Sequence, residues 1–225
     1  MQFSLTGWFK GFKSGIPIAL GVASYGLVFG ILSKQAGLDL IHSLCMSAFV
    51  FAGASQFVAM DMWTAPLPVV AIIVTTFVVN MRHLLMGAVL VEKFKRLSRF
   101  QTYVSLFFLV DENWAYSLAE WKKGNQNAAL LAGTGFCLFL SWTISTGIGS
   151  ILGSADMDPV KWGIDFAFTA IFIFLATAMW RDKRDLVPWM VAATVAILFS
   201  KAFPGKWYIL AGSLSGSMTG VLIHD

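Results

Sequence analysis

The chain has 225 residues, 57% of them hydrophobic and 12% charged, with a formal net charge of +4, whereas soluble domains carry about a quarter charged residues. This composition excludes a water-soluble fold. The basic residues are scattered between apolar runs instead of forming one stripe, which excludes a nucleic-acid surface and fits Lys and Arg held on the cytoplasmic side of a membrane.

A membrane-crossing helix needs about 20 apolar residues. Apolar segments read at 15–32, 43–60, 66–90, 103–119, 128–153, 163–180, 186–203 and 207–223. They predict an all-α, polytopic integral membrane helix bundle of seven or eight segments, with 1–225 as a single transmembrane transport domain. A barrel would alternate polar and apolar residues, and no such alternation occurs. Lys10 and Lys13 precede the first segment, but no small-x-small cleavage site follows, so this run is expected to stay in the membrane. Its Gly15, Gly21, Gly26 and Gly30 are suited to close helix packing.

The second segment carries Gly53, Ser55 and Gln56 within Phe51–Phe57. A buried amide in lipid needs a partner, so Gln56 is expected to face the bundle interior, with Gly53 and Ser55 allowing close approach of backbone or ligand. In the third segment Asn80-Met81-Arg82-His83 interrupts an apolar run, and in the fourth Asp111-Glu112-Asn113 does the same. A charge at mid-bilayer costs roughly 3 kcal/mol or more without a partner or a wet cavity. On a continuous helix Asn80, His83 and Gly87 share a face with Arg82 turned away, and the adjacent Asp111 and Glu112 point about 100° apart. Interrupted helices near 80–83 and 111–113 are therefore expected. The plain reading has these groups capping short helices at the interfaces. The sharper one has Arg82 pairing with Asp111 or Glu112 in a central polar site that opens to substrate, with His83, Asp111 or Glu112 as proton carriers.

The fifth segment holds Gly133, Gly135, Gly147, Gly149 and Gly153, again suited to packing, and both cysteines, Cys45 and Cys137, lie in apolar runs with no second metal ligand nearby. Asp165 and Lys201 lie near segment ends, within snorkelling reach of headgroups. Residues 47–63 match 164–180 weakly, Ile31-Leu32 matches Ile151-Leu152 and Pro68 matches Pro188. A three-helix duplication is thus possible, with halves 15–90 and 133–205. The loop with Lys93, Lys95, Arg96 and Arg99 and the loop with Arg181, Lys183 and Arg184 share one side only if the fourth segment does not cross. Such repeats would be inverted, as in many transporters, with the N-terminus outside. Lys10 and Lys13 argue for the N-terminus inside, so orientation stays open.

Three motifs in order, VFAGASQF at 50–57, NMRH at 80–83 and DEN at 111–113, with the opening run at 14–38, resemble the AzlC family of branched-chain amino acid exporter large subunits. Met81 and Val110 are mild departures from that pattern. The resemblance implies a transporter of the cytoplasmic membrane exporting leucine, isoleucine, valine or methionine, and working with a small hydrophobic membrane subunit of the AzlD type. Substrate contacts would then fall to Arg82, Asp111, Glu112, Asn80, Gln56, Asn113, Gly53 and Ser55, with Arg82 for the carboxylate and Asp111 or Glu112 for the ammonium. Phe51, Phe57 and Trp114 are candidates for an apolar pocket. No cofactor is expected. No phosphate-cradling loop is present, so a proton gradient is the natural energy source. The rival classes are an intramembrane hydrolase built on His83 with an acid, which lacks a nucleophile motif, and a membrane subunit that conducts nothing; oligomeric state stays open.

Overall fold

The structure, a computed structural model, describes residues 1–153, 173, 177, 180, 182–203 and 207–224. Most of the expected 163–180 segment, Asp165, Arg181 and much of the second repeat copy lie outside the described residues. Among the described residues all regular structure is helical: α1 (Leu5–Gln35), α2 (Leu40–Val50), α3 (Gly53–Asp61), α4 (Val69–Asn80), α5 (Arg82–Phe94), α6 (Arg99–Phe107), α7 (Asp111–Lys122), α8 (Ala129–Leu152), α9 (Leu186–Ala202) and α10 (Trp207–His224), with a single 3-10 turn at Lys183–Asp185. Among the described residues four stretches are long and apolar enough to cross a membrane: α1, α4 with α5, α8, and 183–202.

The helix starts follow from local chemistry. Ser4 Oγ accepts from Gly7 N at 3.2 Å to open α1, and Asp39 accepts from His42 N at 2.8 Å to open α2. Ser98 and Gln101 form a reciprocal capping box at α6.

α1 and α8 form the central pair, lying side by side and parallel. Gly11 abuts the Leu130 carbonyl, Gly15 abuts Thr134, Gly26 abuts Ser145 and Gly30 abuts Gly149. From the other side, Gly133 meets the Trp8 backbone and Gly149 meets that of Leu27. With no Cβ at these points the backbones approach closely, the arrangement through which small residues drive helix association in lipid. Hydroxyls reinforce it: Thr134 Oγ1 donates to Gly11 O at 3.0 Å and Ser141 Oγ to Ala19 O at 2.6 Å. These contacts sit at nearly the spacing of the sequence repeat, but an inverted repeat sets equivalent helices antiparallel. The parallel course of α1 and α8 therefore does not carry an inverted relation.

Using α8 as a ruler locates the other elements. α2 starts near its far end, with Leu44 against Gly147 and Ser47 Oγ 2.9 Å from Thr146 Oγ1, and descends until Phe51 meets Phe139. α3 then climbs back, with Phe57 edge-on to Phe29 and Trp142. At the opposite end, Phe94 of α5 packs on Trp121 of α7, and Met1 and Phe3 join the same cluster. From there α6 rises until Phe107 and Phe108 meet Phe139, and α7 descends until Trp121 Nε1 donates to Asn127 O at 3.0 Å. α2–α3 and α6–α7 are thus hairpins that enter from opposite ends and return, while α4–α5 makes the crossing between them. The fourth segment does not cross, which is the condition under which the two basic loops could share a side; the second does not cross either, which keeps α8 parallel to α1. Lys10 and Lys123, both on Glu120, accordingly share an end with the basic 93–99 stretch.

Candidate functional site

Three helix breaks meet halfway along the bundle. The first falls at Phe51-Ala52, where Phe51 takes the left-handed conformation at φ 44° and Gly53 begins α3. The second is the single residue Met81 between α4 and α5, and the third is 108–110 between α6 and α7. α3 and α7 therefore begin at mid-bundle with uncompensated N–H groups and a partial positive charge, whereas Met81 keeps helical torsions (φ −55°, ψ −26°) and only tightens one turn between α4 and α5.

Buried amides hold these breaks. Asn113 is fully buried; its Oδ1 accepts from Val110 N at 2.8 Å, and its Nδ2 donates to Phe108 O at 2.7 Å and Leu131 O at 3.1 Å. The tip of the α6–α7 hairpin is thereby closed on itself and tied to α8. Gln56, also fully buried, accepts from Ala52 N at 3.2 Å through Oε1 and donates from Nε2 to Ser47 Oγ at 3.4 Å, bridging the α2–α3 break. Ser55 Oγ donates to Asn80 Oδ1 at 2.8 Å, linking α3 to the end of α4.

The cavity between the breaks holds about 730 Å³ of empty space, counting its open mouth. One wall is polar. Arg82 Nη1 lies 2.5 Å from Asp111 Oδ2, with the two side chains 30% and 44% exposed. Glu112, His83 and Tyr25 line the same space. Arg82 and His83, adjacent at the start of α5, both line the cavity although Met81 keeps helical torsions, and the start of α7 lets both acids reach it although only Asp111 pairs with Arg82. His83 Nδ1 is 3.2 Å from Asn80 O; a carbonyl only accepts, so Nδ1 carries the proton in this contact. The other wall is apolar, formed by Val22, Phe51, Phe57, Val110, Leu138 and Trp142.

Of the residues singled out from sequence, Arg82, Asp111, Glu112, His83 and Gly53 line the cavity, as do Phe51 and Phe57. Asn80, Ser55, Gln56 and Asn113 are not among the lining residues: Gln56 and Asn113 bond across helix breaks, and Ser55 donates to Asn80 between α3 and α4. Trp114 packs instead in the cluster around Met86, Leu90 and Leu131. Tyr25, Leu138 and Trp142 were missed. Tyr25 and Trp142 carried one signal: each sits in the middle of an apolar segment, away from the interfacial belts where such residues ordinarily lie. Among the described residues no cluster of three His, Cys, Asp or Glu is arranged to hold a metal.

Comparison with known proteins adds identity to this geometry. The family model described as "AzlC protein" matches residues 17–155. The chain is 28% identical over 220 residues to the inner membrane protein YgaZ of Escherichia coli, covering 95% of this chain and 89% of that protein. It is 26% identical over 218 residues to the branched-chain amino acid transport protein AzlC of Bacillus subtilis, covering 94% and 82%. An uncharacterized membrane protein of Archaeoglobus fulgidus is 29% identical over 212 residues, covering 93% and 92%. No solved structure matches.

Proposed function

The chain belongs to the AzlC family, and from that premise we propose that it is the large subunit of a transporter that exports branched-chain amino acids, and methionine, across the cytoplasmic membrane. The observation that carries the reading is the mid-bundle cavity with an ion pair on one wall and hydrocarbon on the other. A zwitterion with an aliphatic tail needs both. Arg82 receives the carboxylate and Asp111 or Glu112 the ammonium, so binding exchanges the Arg82–Asp111 pair for contacts to the ligand's two charges. Gly53 at the start of α3 lets a ligand approach the backbone there. Asn80, Ser55, Gln56 and Asn113 act as positioning residues that keep the three breaks in register.

Export fits a proton gradient as its source of energy, with Glu112, Asp111 and His83 as the groups able to take up a proton in the cavity. The end bearing the N-terminus and the basic residues Lys10, Lys123 and 93–99 is the cytoplasmic one, by the preference of Lys and Arg for that side. A small hydrophobic subunit of the AzlD type completes the transporter, a point that rests on family membership.

Purified protein in liposomes, together with any co-purifying subunit, is to be assayed by leucine counterflow. Losing one charged hydrogen bond to the ligand costs about 1.5–3 kcal/mol, so Arg82→Ala and Asp111→Asn should each slow exchange about 10- to 100-fold. Folded variants exchanging at the wild-type rate would overturn the assignment. Uptake into inside-out vesicles with and without a proton gradient tests the coupling, and indifference to the gradient removes it.

A further inference from the structure

We propose that Leu138 and Trp142 of α8 set which amino-acid side chain the cavity accepts, a specificity role that rests on the transport reading above. The charged groups of the cavity come from α5 and α7, and the hydrocarbon wall lies mainly on α1, α3 and α8. A ligand whose ionised head meets Arg82 and the acids must send its tail toward that wall. Leu138 and Trp142, four residues apart on one face of α8, form the part that cannot yield.

Trp142 is held from behind. Its indole stacks on Phe29 with ring centroids 5.7 Å apart and planes 23° apart, and Phe57 closes on it edge-on at 6.2 Å. Phe29 is fully buried and Leu138 nearly so, in the same cluster. α8 itself is fixed to α1 by the glycine contacts, whereas the groups opposite stand at helix breaks. A tail too long for the space finds no room by displacing α8. Gly53 sets the remaining dimension, since a Cβ there would lie 3.1 Å from Trp142 Cη2.

The wall therefore sorts by tail size, and changes on its two sides act in opposite directions. One methylene in an apolar pocket changes discrimination by about 10- to 200-fold. Leucine counterflow in proteoliposomes, with alanine, valine, leucine, isoleucine, methionine and phenylalanine as competitors, reads the effect on the full chain with any co-purifying subunit. Leu138→Ala should raise competition by phenylalanine about tenfold relative to valine, and Leu138→Val, which keeps more of the core, should shift it the same way by less. Gly53→Ala should narrow the space and weaken leucine and isoleucine relative to valine and alanine. An unchanged competitor profile, or a parallel weakening of every competitor, overturns the specificity role while wild-type leucine exchange keeps the transport reading. A wild-type protein that exchanges none of the branched-chain amino acids or methionine overturns both.

Discussion

Replacing Asn113 by Ala tests whether the tip of the α6–α7 hairpin depends on one side chain. Asn113 is fully buried and makes three hydrogen bonds, to Val110 N, Phe108 O and Leu131 O. Each such bond contributes about 1 kcal/mol net, and a buried backbone group left unmade costs about 1–3 kcal/mol. Leu131 O lies inside α8 and keeps a helical partner, so the heavier losses fall on Val110 N–H and Phe108 O. The expected destabilisation is about 3–4 kcal/mol. Asn113→Asp keeps the acceptor for Val110 but sets carboxylate oxygen against two carbonyls, so it should not rescue. Reversible denaturation of the purified protein in mixed micelles measures stability, and leucine counterflow of the folded fraction reports whether Asp111 is still placed. An Asn113→Ala loss below about 1 kcal/mol would refute the idea that these bonds hold the tip.

Glycines separate by what they touch. Gly149→Ala puts a methyl into the Leu27 carbonyl across the α1–α8 seam and should cost about 3 kcal/mol or prevent folding, since overpacking against backbone has no side chain to move. Gly21→Ala, with nothing within 4 Å, should be neutral or gain up to about 1 kcal/mol of helix propensity; equal melting of the two variants would contradict the close packing. Asp39 caps α2, and the hydrogen bonds from the His42 backbone and ring hold its carboxyl below the usual range. Its contribution is therefore complete above the ordinary carboxylate pKa of about 4 and is lost as pH falls through the lower folded value. Melting of wild type should approach that of Asp39→Asn over that acid range, and a gap independent of pH would remove the assignment.

Much of the fold was legible because lipid forces its own grammar: apolar runs of fixed length, with polar groups conspicuous wherever they interrupt. Asn80-Arg82-His83 and Asp111-Glu112 marked two breaks for that reason. The third break was hidden because Phe51-Ala52 carries it, an apolar pair whose left-handed turn leaves no polar trace; only Gly53 and Gln56 hinted at it. Length could not separate a hairpin from a crossing either, since α2 and α3 together are as long as a span. A buried amide suits a substrate or a broken backbone equally well, and composition does not say which. Leu138 was illegible because nothing distinguishes a cavity wall from core in an apolar helix, whereas the central placement of Trp142 sets it apart from interfacial tryptophans.

The two returning hairpins have an effect on any attempt to count sides from hydropathy. Treating each as a full traverse introduces one error before α4 and a second before α8, and the two cancel, so α8 is assigned the correct direction by compensating mistakes. The stretches left on the wrong face are 62–68 and the cationic turn at 95–98, which explains how the lysines near the start and those in mid-chain came to contradict each other on paper while occupying the same aqueous compartment.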